Sequence, residues 1–181
     1  MIKRFLERFS LYKLMVIALV AALGVAVKSI ATPLAQIVTG PLYIPGGVVA
    51  GGIYMMFLVL AAAMTDIRGA ASLCGFCQGI MVLVIGAAGS HGVLSIISYS
   101  LPGVAIDALY LLISHRGCCV LCCFLGGMAA NLTGTLIVNT AFFSMPFVPL
   151  MLSLSVGALS GGLGGVFAWI ITKRLKALNV L

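Results

Sequence analysis

Residues 44–64 read IPGGVVAGGIYMMFLVLAAAM, an apolar run without a single charged residue. A helix needs about 20 apolar residues to cross the hydrocarbon core of a membrane. Similar runs fill most of the chain, which is 63% hydrophobic and only 7% charged. A water-soluble fold of 181 residues could not hide so much apolar surface. The composition therefore predicts a membrane protein and excludes a soluble enzyme, a nucleic-acid-binding domain and a disordered chain.

Six apolar runs are separated by short connectors that contain glycine, proline or serine, the usual loop residues. The runs cover residues 14–31, 44–64, 70–88, 93–113, 118–143 and 147–172. They predict an all-α fold, a single domain over residues 1–181 built as a bundle of six transmembrane helices. With the N-terminus inside, nine of the ten Lys and Arg residues lie on the cytoplasmic side and only Lys28 lies toward the outside. The positive-inside rule then places both termini in the cytoplasm, with the protein in the cell membrane.

Polar side chains within the spans are costly in lipid, so each is a candidate for function. Tyrosine rings and amides in the outer half of a bundle would suit a small polar ligand. We expect these residues to converge on one cavity: Lys28, Tyr54, Gln78, His91, Tyr99, Asn131 and Asn139. For the amides the alternative is hydrogen bonding between helices, and for Lys28 it is snorkelling to the outer headgroups. Asp107, the only acid inside a span, is expected to pair with Arg68 or Arg116, with cation binding as the alternative.

Small residues recur at four-residue spacing in three spans, which places each set on one helix face. The sets are Ala18, Ala22 and Ala26; Gly126, Ala130 and Gly134; and Gly157, Gly161 and Gly165. Such faces allow helix backbones to approach closely in a membrane. Internal packing is the favoured interpretation for spans five and six. For span one, two interpretations stay open: internal packing and contact with a partner protein.

Six cysteines form two clusters, Cys74-x-x-Cys77 and Cys118-Cys119-x-x-Cys122-Cys123. They raise the alternative of a membrane thiol–disulfide or metal-binding protein. We interpret the cysteines as small apolar packing residues, open to acylation near the membrane edge, and we predict neither a metal nor a cofactor.

With three acidic residues in all, no pair of acids is available for acid–base chemistry, so an enzyme is not expected. No Gly-rich phosphate-binding loop ending in Lys-Ser or Lys-Thr occurs, so any uphill transport would need another subunit to supply energy.

The chain has six spans in under 200 residues, both termini inside, and the series Ala18, Ala22 and Ala26 in span one. In these features it resembles the substrate-binding S-components of energy-coupling factor (ECF) vitamin transporters. Three further stretches make it most like the S-components linked to thiamine or its hydroxymethylpyrimidine precursor. They are residues 44–64, the pair Gln78-Gly79, and the segment Ser98-Tyr99-Ser100-Leu101-Pro102-Gly103.

The resemblance implies a subunit that captures a vitamin from outside and docks on a transmembrane T-component powered by two ATP-binding subunits. It assigns the docking role to Ala18, Ala22 and Ala26, and the role of a lid to residues 33–43. Nucleic acid is not an expected partner. Because the outer half offers Lys28 but no acid, a neutral or anionic ligand is favoured over cationic thiamine.

Overall fold

Helices account for nearly all of the structure. The computed structural model describes residues 10–42, 45–86, 92, 94–114 and 117–178. The long helices are α1 (Leu11–Thr39), α2 (Gly46–Thr65), α3 (Ala70–Ile85), α4 (Leu94–Leu112), α5 (Val120–Val138) and α6 (Phe147–Ala177). A 3-10 turn (Gly40–Leu42) follows α1, and a π-helical turn (Asn139–Phe143) follows α5. The described residues include no strand, so the predicted all-α fold with six helices is confirmed.

Five of these helices are long and apolar enough to cross a membrane. The exception, α3, has 16 residues and is also apolar. Many large apolar side chains, among them Leu19, Leu159 and Phe167, are exposed on the outside of the bundle. Lipid rather than water is the solvent that suits such a surface. The chain is therefore a multi-pass membrane protein.

Helix α1 extends well beyond the end expected at residue 31. It continues through Pro33 to Thr39, whose hydroxyl donates to the Ala35 carbonyl at 2.9 Å. A proline is tolerated inside a membrane helix because neighbouring groups satisfy the freed backbone. The segment 33–43, expected as a lid loop, is therefore helical up to Thr39, and residues 43–44 lie outside the described part.

Helix α2 lies at the centre of the bundle. Fifteen of its 20 residues are buried, and it packs against each of the other five helices. A helix that is apolar all round belongs in such a position. Helix α1, by contrast, packs mainly on α2 and α3, so one of its faces remains open.

Glycines bring α2, α5 and α6 into close contact. A Cβ added to Gly127 on α5 or Gly161 on α6 would overlap the backbone of the other glycine. The small-residue faces predicted for spans five and six are buried, as internal packing requires. Across the α2–α6 contact, Ser160 Oγ donates to the Val49 carbonyl at 2.6 Å and accepts from the Gly52 N–H at 3.0 Å. These contacts hold α2 and α5 closely against α6.

The α2–α6 contact leaves no room for a methyl group, which a single substitution can test. A Cβ at Gly164 would overlap the Gly52 carbonyl, and a backbone atom cannot move aside cheaply. We expect Gly164→Ala to lower the stability by about 1–3 kcal/mol, measured as thermal melting in detergent. Gly40→Ala is the matched control, because a Cβ there meets only the end of the Gln36 side chain at 3.7 Å. Equal melting temperatures for the two variants would contradict the packing argument.

Candidate functional site

A cavity of about 180 Å³ opens where α1 ends, α2 begins and α5 ends. The basic residues Arg68, Lys173 and Arg174 lie at the opposite ends of α2 and α6. Helix α1 contributes Lys28, Thr32 and Gln36 to the lining; the start of α2 contributes Pro45, Gly47, Val48 and Tyr54; and α5 with its extension contributes Gly134, Thr135, Val138, Asn139 and Met145. These described lining residues include no carboxylate, imidazole or thiol.

Lys28 is held at this cavity by two tyrosine rings. Its Nζ lies 3.9 Å from the centroid of the Tyr99 ring and 5.0 Å from that of Tyr54. Both distances lie within the range of cation–π attraction. The Tyr54 hydroxyl donates to the Gly47 carbonyl at 2.8 Å, which fixes that ring at the start of α2. Lys28 therefore lines the cavity with its ammonium group over two aromatic rings.

Two threonine hydroxyls at the cavity have no hydrogen-bond partner among the described residues. Thr32 Oγ1 and Thr135 Oγ1 are both buried without a hydrogen bond. Buried polar groups are nearly always satisfied, so each of these is an available donor and acceptor for a bound molecule. The site thus offers a cation, aromatic faces and neutral hydrogen-bonding groups.

Two amides shape the rim of the cavity. Gln36 Oε1 accepts from the Gly46 N–H at 2.6 Å and ties the end of α1 to the start of α2. Asn139 Oδ1 accepts from the Met145 N–H at 2.8 Å and closes the turn after α5. Each amide therefore has its oxygen occupied, which leaves an NH₂ group as the donor for a ligand.

Sequence reasoning missed Thr32, Gln36 and Thr135. The signal for the first two was present, because Lys28, Thr32 and Gln36 are four residues apart and share one face of a helix. Because span one was predicted to end at residue 31, Thr32 and Gln36 were placed outside the helix and the shared face was not recognised. Thr135 carried no comparable signal, since a threonine in a membrane helix commonly bonds its own backbone.

Other predicted site residues lie outside the cavity lining. Gln78 and Tyr99 are buried on α3 and α4, and within the described part of the chain Gln78 Nε2 and the Tyr99 hydroxyl have no hydrogen-bond partner. The Gln78 amide occupies the space beside Gly24, one helical turn before Lys28. Tyr99 contacts the site only through its ring, which lies against the Lys28 ammonium group. His91 lies outside the described residues.

Asn131 bridges three helices. Its Nδ2 donates to the Val48 carbonyl of α2 at 3.0 Å and to the Gly157 carbonyl of α6 at 2.8 Å. Of the two roles weighed for this amide, hydrogen bonding between helices is the one its contacts favour. Asn131 thereby holds Val48, a lining residue, in place.

Asp107 caps the start of α3 from the neighbouring helix. Its carboxylate accepts from the Gly69 N–H at 3.2 Å, the Ser72 N–H at 2.8 Å and the Ser72 hydroxyl at 2.5 Å. An anion at a helix N-terminus satisfies unpaired N–H groups and the helix dipole. This cap replaces the expected pairing with Arg68 in the described part of the chain, and Arg116 lies outside that part.

Ala18, Ala22 and Ala26 form an open face of α1. All three are exposed, whereas the residues that directly precede them, Ile17, Ala21 and Val25, lie about 100° round the helix and are buried. The predicted docking face is therefore free of internal packing.

Comparison with known proteins agrees with this architecture. A solved structure described as an S-component of an ECF transporter superposes with a TM-score of 0.82, covering 95% of this chain and 88% of that one. At 17% sequence identity the likeness establishes a shared fold. A search of curated proteins finds no match. Residues 13–133 match the family described as the permease component of an ABC-type cobalt transport system. Since the match covers more than half of the chain, the protein belongs to this family of transport permease components.

Proposed function

We propose that this protein is the substrate-capture subunit of an ECF-type importer. It binds a small, neutral or anionic organic molecule similar to hydroxymethylpyrimidine in the cavity between α1, α2 and α5. The observation that carries the proposal is Lys28, held over two tyrosine rings beside a cavity without an acidic lining residue. The shared fold and the permease family support the transport role.

The chemistry of the lining argues against a bare cobalt ion as the ligand, despite the description of the family. Divalent transition metals bind to imidazole, carboxylate or thiolate groups, and the described lining residues have none of these. The Lys28 ammonium would repel a divalent cation. It would equally disfavour the positively charged thiazolium ring of thiamine. A pyrimidine ring is uncharged, stacks on tyrosine and carries acceptor nitrogens for Lys28 and the threonine hydroxyls.

The remaining parts of the importer are assigned by the same proposal. The cavity end of the bundle faces outward, both termini lie in the cytoplasm, and the Ala18, Ala22 and Ala26 face docks on a transmembrane T-component. Two ATP-binding subunits supply the energy. The orientation is supported by the separation of the cavity from the basic helix ends, because cytoplasmic segments are enriched in Lys and Arg.

Native mass spectrometry of the protein purified in mild detergent tests the proposal. We expect a bound small organic mass, and calorimetric binding of added hydroxymethylpyrimidine in preference to thiamine and Co²⁺. Thr135→Val should weaken that binding by roughly tenfold, because one hydrogen bond to a buried hydroxyl is lost. Thr140→Val is the matched control, since the exposed Thr140 hydroxyl bonds only to Leu136 and Ile137 of its own helix. Binding of Co²⁺ but not of the organic probes would overturn the ligand assignment.

A further inference from the structure

The second cysteine cluster lies at the start of α5, and Gly134, the first residue of that helix to line the cavity, lies about 21 Å further along the helix axis at the standard rise per residue. Cys119 is the N-cap residue, and its Sγ accepts from the Cys122 N–H at 3.3 Å. The Sγ atoms of Cys119 and Cys122 lie 2.7 Å apart. The Sγ of Cys118 joins them, and all three sulfur atoms lie within 4.8 Å of one another. The fold therefore brings the thiols of Cys118, Cys119 and Cys122 together at the start of α5.

The neighbouring cysteines take no part in this group. Cys123 Sγ is directed to the Gly117 carbonyl at 3.4 Å. Cys74 and Cys77 lie on α3, and Cys74 is fully buried there with its Sγ beside the Phe57 carbonyl at 4.0 Å. The two clusters thus do not combine into a site with four cysteines in the described structure.

The spacing of the three sulfur atoms fits a metal ion. With a metal–sulfur bond of about 2.3 Å, a trigonal site places its sulfur atoms about 4 Å apart. The Sγ atoms of Cys119 and Cys122 reach that spacing when they separate by about 1.3 Å, which a small rotation of the side chains supplies. The start of α5 also contributes the positive end of its dipole, which stabilises thiolates. Exposure falls from the exposed Cys118 through Cys119 to the buried Cys122, so an ion can enter from the surface.

We propose that Cys118, Cys119 and Cys122 bind one Cu(I) ion in a three-coordinate thiolate site. Thiolates select soft ions, and Cu(I) is the softest of the common biological metals. Structural zinc sites almost always use four protein ligands, whereas the described residues provide three at this cluster. This thiolate site lies at the other end of α5 from the cavity between α1, α2 and α5, whose described lining has no thiol.

Anaerobic titration of the reduced, full-length protein with Cu(I) tests this site, with a coloured Cu(I) chelator as competitor. We expect one equivalent of Cu(I) to be withheld from the chelator, and X-ray absorption to show sulfur ligands only. Cys119→Ser should weaken Cu(I) binding by at least about 100-fold, and so should Cys118→Ser, which replaces an exposed side chain and should leave the fold intact. Cys77→Ser, at a half-buried position on α3, is the matched control and should bind as the native chain does.

Three results would overturn the metal site. They are no withheld Cu(I), unchanged binding in both cluster variants, or a Zn(II) affinity that exceeds the Cu(I) affinity in the same competition. Thermal melting of each variant identifies those that fail to fold, and the Cys118→Ser result then decides. Because binding of hydroxymethylpyrimidine is measured separately, failure of the copper site leaves the proposed transport function unaffected, and the reverse also holds.

Discussion

Uptake is expected to fall to background when Ala22 is replaced by tryptophan, while ligand binding by the purified subunit stays within about twofold of the native value. Ala22 lies in the middle of the exposed alanine face of α1, and the buried contacts of α1 are made by a different face. Small residues let two helix backbones approach closely in lipid, and an indole ring would hold them apart. The substitution should therefore block contact with the T-component without disturbing the cavity.

The measurement is uptake by cells that express the complete importer, together with co-purification of the T-component. Leu159→Trp is the matched control, because Leu159 on α6 is 65% exposed and is already a large side chain in lipid. It should leave both uptake and co-purification unchanged. Normal uptake by the Ala22→Trp variant would show that α1 does not form the docking surface.

The architecture was predictable because lipid imposes strong rules on composition. The uncharged run at residues 44–64 had to be helical in a membrane, and it forms α2; its central position is a finding of the structure. The four-residue spacing of Gly157, Gly161 and Gly165 had to give a close helix contact, and α6 packs through it. The end of α1 was less predictable, because Pro33 suggests a break in water but is tolerated in a membrane helix.

The site was only partly predictable, since polar residues in a membrane helix serve both ligands and helix packing. Lys28, Tyr54 and Asn139 do line the cavity. Asn131 has the same chemistry as Asn139 but faces two backbone carbonyls of neighbouring helices, and no local pattern separates the two cases. The cysteine group was visible as a motif, yet its convergence depends on Cys119 being the helix cap and Cys123 turning toward Gly117. Both are local contacts at the start of α5 that the cysteine spacing alone does not specify.

Lys28→Met is expected to weaken binding of hydroxymethylpyrimidine by about 10- to 100-fold. Methionine keeps the length and the apolar stem of lysine but removes the charged donor, and a charge-assisted hydrogen bond contributes about 1.5–3 kcal/mol. The same variant should lose much of its discrimination against thiamine, since the repulsion of a cationic ring disappears. Isothermal titration with the two compounds measures both effects.

Lys173→Met provides an unusually close control for this experiment. The Lys173 Nζ also lies over an aromatic ring, 5.0 Å from the centroid of Trp169, but at the basic end of α6. It should bind both compounds as the native protein does, so a loss shared by the two variants would mean that the effect is general rather than local to the cavity.

An isolated charge within a membrane span is costly, and Lys28→Met removes that cost. We therefore expect its melting temperature to be equal to or above that of the native protein while its affinity falls. That combination would show that the lysine serves the ligand rather than the fold, and a parallel fall in both would assign it to stability alone.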